Sequence, residues 1–117
     1  MQYMLLIHSD EAAMQSAPAE ATARMHAAYM AYTEALTTAG ALVRGNRLRP
    51  SAAATTVRIA NGKSQVLDGP YADSKEQLGG YYIIDVADLD AALGWAARCP
   101  AASHGVVEVR PIWEAAA

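Results

Sequence analysis

The groups in this chain suited to acid/base work are few: three histidines, an aspartate in a tight turn and a set of tyrosines. His8, His26 and His104 carry the side chains whose ordinary titration lies near neutrality, so each is a candidate general base. His26 falls at the edge of a helical apolar stripe, close in angle to Tyr29, and a cavity between helix and sheet would take both. Tyrosine can act there as an acid or hydrogen-bond donor. His8 ends an apolar run beside Asp10, but His8-Ser9-Asp10 is too short and incomplete for a metal site. His104 reads as a loop residue before Gly105.

Asp68 opens the stretch Asp68-Gly69-Pro70-Tyr71, in which glycine and proline dictate a turn. Its carboxylate either satisfies nearby backbone amides, the commoner role of aspartate before glycine, or is held at a strand end to meet a ligand. Asp68, His26 and Tyr29 form the candidate catalytic set. Arg110 shares one strand face with Glu108, so it either pairs with that carboxylate or binds an anionic substrate. Lys75 can clamp a ligand or pair with Glu76 on the surface. One of Tyr81 and Tyr82 must face the polar side of its strand, which makes Tyr81 a further ligand-binding candidate. Gly79-Gly80 lacks the spacing of a phosphate-binding loop. No nucleophile elbow, HExxH or Cys–His constellation occurs, and no cofactor or metal is expected.

Local signals place these residues on elements. Tyr3 to His8 is apolar on both faces and suits a central strand. After a polar connection over residues 9–17, Pro18 and Glu20 open a helix with Met25, Tyr29, Tyr32 and Leu36 along one face, ending at Gly40. Strands follow over 41–49 and 55–60. The Asn61-Gly62 hairpin signal then returns the chain over 64–67 into the Asp68 turn. A short charged helical segment bridges from Tyr71 to the glycine pair, and residues 81–86 form another strand. Asp88 caps a helix with the stripe Leu89, Leu93 and Ala96, stopped by Pro100. In the last strand, residues 106–113, Val107 and Val109 face one side and Glu108 and Arg110 the other. The order is βαβ(ββ)βαβ, an α+β ferredoxin-like arrangement with an inserted hairpin.

Composition narrows the classes. The 117 residues fit one domain, residues 1–117. Hydrophobic residues reach 53%, much of it alanine, which favours burial against a partner chain. No helix of the chain is matched to the Glu108/Arg110 face, so a homodimer closed on that face is expected. A net charge of −3 speaks against nucleic-acid binding. The single cysteine, Cys99, reads as a core residue rather than part of a disulfide framework or multi-cysteine metal site. Six tyrosines with no phenylalanine suggest hydroxyls lining a wet cavity. The start of the chain lacks signal-peptide features and no run is long enough to span a bilayer, so a cytoplasmic protein is expected. Arg44, Arg47, Arg49 and Arg58 make the hairpin region basic, with alternation sending them to different faces.

The stretch DGPY followed by SKEQLGGYYIIDVADLDAAL resembles the DGPF branch of the YCII-related proteins, with Tyr71 where that branch usually carries phenylalanine. YMLLIHSDEAA, TTVRIANGKSQVLDGPY and GVVEVRPIWE extend the likeness over nearly the whole chain. The resemblance implies a small bacterial ferredoxin-like domain pairing as a dimeric α/β barrel, with a role largely undefined for the branch. Lyase-like members of the wider group use a histidine on the first helix with an aspartate, and Tyr29 stands at that histidine's place. Two functions follow as expectations. One is a cofactor-independent lyase- or isomerase-like enzyme acting on a small polar or aromatic substrate. The other is a non-catalytic ligand-binding or accessory protein, since DGPF proteins are often encoded beside extracytoplasmic-function sigma factors.

Overall fold

Strand β1 (Gln2–Ser9) alternates buried and half-buried residues along its length, which makes it the centre of the molecule. The computed structural model describes residues 1–114, so the alanine triplet expected to fray lies outside the described residues. After β1 come α1 (Glu11–Gln15), α2 (Ala19–Thr38), β2 (Leu42–Arg47), β3 (Thr55–Ala60), β4 (Lys63–Asp68), β5 (Gln77–Asp85), α3 (Leu89–Arg98) and β6 (Val106–Pro111). Short 3-10 turns occupy Ser51–Ala53 and Pro100–Ser103.

One sheet runs β2-β5-β1-β6 with every neighbouring pair antiparallel, and β3 and β4 pair with each other in a second, two-stranded sheet. The chain thus has the ferredoxin-like α+β fold, two βαβ units carrying an inserted hairpin. Helices cover one face of the main sheet only. Tyr3, Leu5, Ile7, Tyr82 and Ile84 point to that face and are buried with Tyr32, Leu36, Ala92 and Ala96. Leu5, Leu36 and Ile84 are wholly enclosed, and each such side chain contributes about 1.5–3 kcal/mol through burial.

The α2 stripe is the expected one. Tyr32 and Leu36 are buried, with Tyr29 packed against the core. The helix stops in a Schellman arrangement: Gly40 takes φ +71°, its N–H bonds Thr37 O at 3.0 Å, and Ala41 N bonds Leu36 O at 3.0 Å. Asp88 caps α3 through Ala91 N at 2.9 Å.

Four expectations need correction. The polar connection holds the short helix α1, because Asp10 accepts from Ala13 N at 3.1 Å and starts a turn there. No helix forms between Tyr71 and the glycine pair; the segment bends, and Gln77 Nε2 ties back to Ser74 O at 2.7 Å instead. The buried stripe of α3 is Ala92 and Ala96, with Trp95 beside them, while Leu89 and Leu93 are both 47% exposed. Small residues let this helix sit close on the sheet. Two of the hydroxyls expected to line a wet cavity bond within the chain instead: Tyr32 Oη donates to Trp95 O at 2.7 Å and Tyr82 Oη shares 2.8 Å with Thr33 Oγ1. Their rings meet edge to face at 5.3 Å.

Candidate functional site

The face of the main sheet away from the helices carries the polar residues of the strands. Register sets them in rows. Arg44, Ile83, Met4 and Arg110 lie side by side; next come Asn46, Tyr81, Leu6 and Glu108; the third row holds Leu78, His8 and Val106. Met4, Leu6, His8, Tyr81 and Ile83 are half-buried although no helix lies over them. Asn46 Nδ2 donates to Tyr81 Oη at 2.8 Å, fixing that phenol on the open side.

At one end of this face three titratable side chains adjoin. Glu108 presents Oε1 to His8 Nε2 at 3.5 Å and Oε2 to Arg110 Nε at 3.2 Å. One carboxylate therefore serves a permanent cation and an imidazole able to become one. His8 Nε2 has no accessible surface and no hydrogen-bond partner among the described residues, so the Glu108 contact is an approach rather than a formed bond. A buried polar atom without a partner is costly and is a reserve of binding capacity.

The backbone is closely packed on both flanks of His8. The register of β1 against β5 shifts between Ile7 and His8, passing over Gly79, the extra residue of a bulge in β5 that lies opposite His8. On the other flank Gly105 leads into β6 where a Cβ would run into the His8 carbonyl oxygen. Gly80 has the same character: a Cβ there would lie 2.9 Å from Asn46 O, so the glycine pair permits close backbone packing.

The residues singled out from sequence are divided among three places. Arg110 and Tyr81 join His8 and Glu108 on the open face. Tyr29 lies across the sheet from them, packed on the core beside Cys99, while His26 is exposed on α2. Asp68 and Lys75 are exposed at the end of β4 and in the bend that follows, and the Asp68 carboxylate accepts no hydrogen bond among the described residues. The turn at Asp68 is held by backbone, Gly69 N to Ala54 O at 2.7 Å with φ +101° at Gly69.

Burial raises the Tyr29 and Tyr32 phenols above the ordinary range, with Cys99 and Tyr82 adding smaller pushes. Burial likewise raises the Cys99 thiol and the Tyr82 phenol, against lowering contributions from the Ala101 backbone and Thr33 respectively. At neutral pH these groups are protonated donors, and none of them can serve as a base. Outside the helices, an open groove of about 610 Å³ runs between α2 and the 100–103 turn, with Arg24, Arg98 and Ser103 on its rim. Among the described residues no three His, Cys, Asp or Glu side chains converge to hold a metal ion. No described helix is long and apolar enough to cross a membrane.

The His8–Glu108 approach was open to inference from sequence. Strand alternation puts His8 opposite Tyr3, Leu5 and Ile7, and the ferredoxin order makes the last strand the neighbour of the first. The bulge beside His8 left only Gly79 as its mark.

A family model, the YCII-related domain, matches residues 1–116. An uncharacterized protein of Rhizobium meliloti is 40% identical over 114 residues, spanning 96% of this chain and 92% of that protein. Among solved structures, the chain is similar to TftG of Burkholderia phenoliruptrix AC1100, a 5-chloro-2-hydroxyhydroquinone dehydrochlorinase in complex with 2,5-dihydroxybenzoquinone. The TM-score is 0.58 at 16% identity, over 97% of this chain and 94% of that one, a likeness of fold. With the family model spanning the described chain, this protein belongs to the YCII-related family.

Proposed function

We propose that this chain is a cofactor-independent acid/base enzyme, active as a cytoplasmic homodimer, in which His8 is the base and Arg110 the anion anchor for a small, oxygen-rich substrate. The carrying observation is Glu108, whose two carboxylate oxygens reach His8 and Arg110 at 3.5 and 3.2 Å. In this reading the His8 imidazole, whose side chain keeps 28% of its surface exposed, takes a proton from a carbon or hydroxyl of the substrate while Nε2 faces Glu108. The electron pair left behind either expels a leaving group, as in elimination, or receives the proton back at a second position, as in isomerisation. Glu108 compensates the imidazolium that forms, and Arg110 holds the developing oxyanion. Tyr81, oriented by Asn46, donates to a second oxygen. A second copy closing over the face excludes water and strengthens each of these interactions.

The likeness to TftG supplies a probe, since 2,5-dihydroxybenzoquinone is a planar ring bearing the acidic oxygens that Arg110 would recognise. Titrating it by calorimetry against wild type, Arg110→Gln and His8→Asn should give measurable binding in wild type. Affinity should fall about 10- to 100-fold in Arg110→Gln, the scale of a lost charge-assisted hydrogen bond. His8→Asn should bind but lose turnover of chlorinated hydroquinones by about 10²- to 10⁴-fold. Equal affinity in wild type and Arg110→Gln defeats the anchor. Tight binding with no turnover of any chlorinated or hydroxylated quinol by wild type makes the protein a ligand-binding accessory module, including one linked to an extracytoplasmic-function sigma factor.

A further inference from the structure

The arm formed by β3 and β4 is built for a surface that a single chain does not provide. Opposed residues share a face, so Thr55, Val57 and Ile59 stand with Asp68, Val66 and Ser64, and the other face holds Thr56, Arg58, Ala60, Leu67, Gln65 and Lys63. Val57, Ile59 and Val66, together on the first face, are 65%, 64% and 61% exposed, and Leu67 on the second is 66% exposed. Neither face is covered. An isolated two-stranded hairpin is marginal in water, and contiguous exposed apolar residues mark an interaction surface.

The arm is nevertheless held at its root. Glu11 of α1 accepts from Ser51 N at 2.8 Å and Ser51 Oγ at 2.6 Å, Leu48 N bonds Gly79 O at 2.8 Å, and Gly69 N bonds Ala54 O at 2.7 Å. This fixes the direction of an element that extends the molecule. The radius of gyration is 16.3 Å, against about 13 Å for a compact chain of this length. The extents are 49 × 48 × 18 Å, a slab only two layers thick.

Area identifies the occupant. Four strands at ~4.8 Å spacing and ~20 Å length give the open sheet face a footprint of about 400 Å². A stable dimer needs about 800 Å² per partner, so the sheet face alone falls short. One arm face adds about 200 Å² by the same geometry, which brings the flat footprint to about 600 Å² and, with side-chain relief counted, nearer to what a stable dimer needs. The open face also ends in exposed Val106 and Leu78, half-covered apolar companions for the arm. A two-fold pair satisfies all of these surfaces at once, because each chain supplies both the arm and the rim that receives it.

We infer that the β3–β4 arm crosses to a second copy of this chain and lays Val57, Ile59 and Val66 along the rim of that copy's open sheet face, so that each candidate site is bounded by both chains. The inference rests on the homodimer of the proposed function but not on its chemistry. Hydrogen exchange of the wild-type protein, measured above and below the concentration at which it dissociates, tests it directly. Amides of residues 55–68 should be at least 100-fold slower in the dimer than in the monomer. Equal exchange in the two states, or a protein that sediments as a monomer at every concentration, overturns it. Val57→Lys combined with Val66→Lys alters only exposed positions and should raise the dimer dissociation constant at least 100-fold while the circular dichroism stays that of wild type. An unchanged dissociation constant overturns the inference. Failure of the chemical reading would instead appear in the Arg110→Gln and His8→Asn titrations with the arm still protected.

Discussion

The main sheet and the arm are both made of antiparallel strands that carry large apolar side chains, yet they meet opposite fates. Leu5 in β1 is wholly buried, while Val57 in β3 is 65% exposed. Strand propensity does not account for this, since β3 has more β-branched residues than β1, so the difference lies in covering: helices fold back on the main sheet, and none folds back on the hairpin. What a strand is worth depends on what packs against it. The same contrast recurs across the main sheet, whose helix side is a sealed core and whose other side keeps His8, Glu108 and Arg110 within reach of a ligand or a second chain.

The largest expected effect breaks this comparison at its strongest point. Leu5→Ala opens a cavity under the helices and should cost about 2–5 kcal/mol in denaturant unfolding. Val57→Ala, measured on the monomer, should stay within about 0.5 kcal/mol. Similar losses for the two would mean the arm is packed within its own chain.

Next in size is Gly105→Ala. Its new methyl meets the His8 carbonyl oxygen, a backbone atom that cannot swing aside. The expected loss is about 1–3 kcal/mol, with β6 displaced from β1. Because the displacement separates Glu108 from His8, ligand affinity should fall by more than the stability change alone accounts for, which calorimetry on the folded variant can measure.

Much of the fold was legible in the chain because its signals are local. Asn61-Gly62, the Asp88 cap, Gly40 and the α2 stripe each act within a few residues, and the strands and helices they imply are present. In α3 the expected Ala96 is buried, but Leu89 and Leu93 were misjudged because large apolar side chains outrank alanine in a periodicity reading, whereas close packing on the sheet favoured Ala92. For the site, alternation placed Glu108 and Arg110 together and required one of Tyr81 and Tyr82 on the open side. It could not supply the bulge at Gly79 beside His8, nor the approach of Glu108 to both His8 and Arg110.

A smaller effect separates the sealed side from the open one by pH. Burial raises the Cys99 thiol and the Tyr29, Tyr32 and Tyr82 phenols in the folded chain. The unfolded chain therefore releases these protons at lower pH and binds fewer of them, so stability falls as pH rises. Thermal melts should decline from about pH 8.5, where an ordinary thiol begins to ionise, and more steeply above about pH 10. Alkylation of Cys99 at pH 8 should be slow in buffer and fast in denaturant. A rapid native reaction would place Cys99 on an accessible surface.

The smallest expected effect belongs to Asp68, and it sharpens the arm's side of the comparison. The Asp68→Asn substitution keeps the shape and removes the charge. The carboxylate is exposed and accepts no hydrogen bond among the described residues, while Gly69 and Ala54 hold the turn through backbone, so stability should change by less than about 0.5 kcal/mol. Val57 and Val66 share the arm face with Asp68, so a docked arm would carry this charge toward the second copy. Sedimentation and 2,5-dihydroxybenzoquinone titration on the same variant then separate three roles. A weakened dimer with intact affinity assigns Asp68 to the interface, and a lost affinity with an intact dimer assigns it to the ligand. A loss of stability alone returns it to the turn.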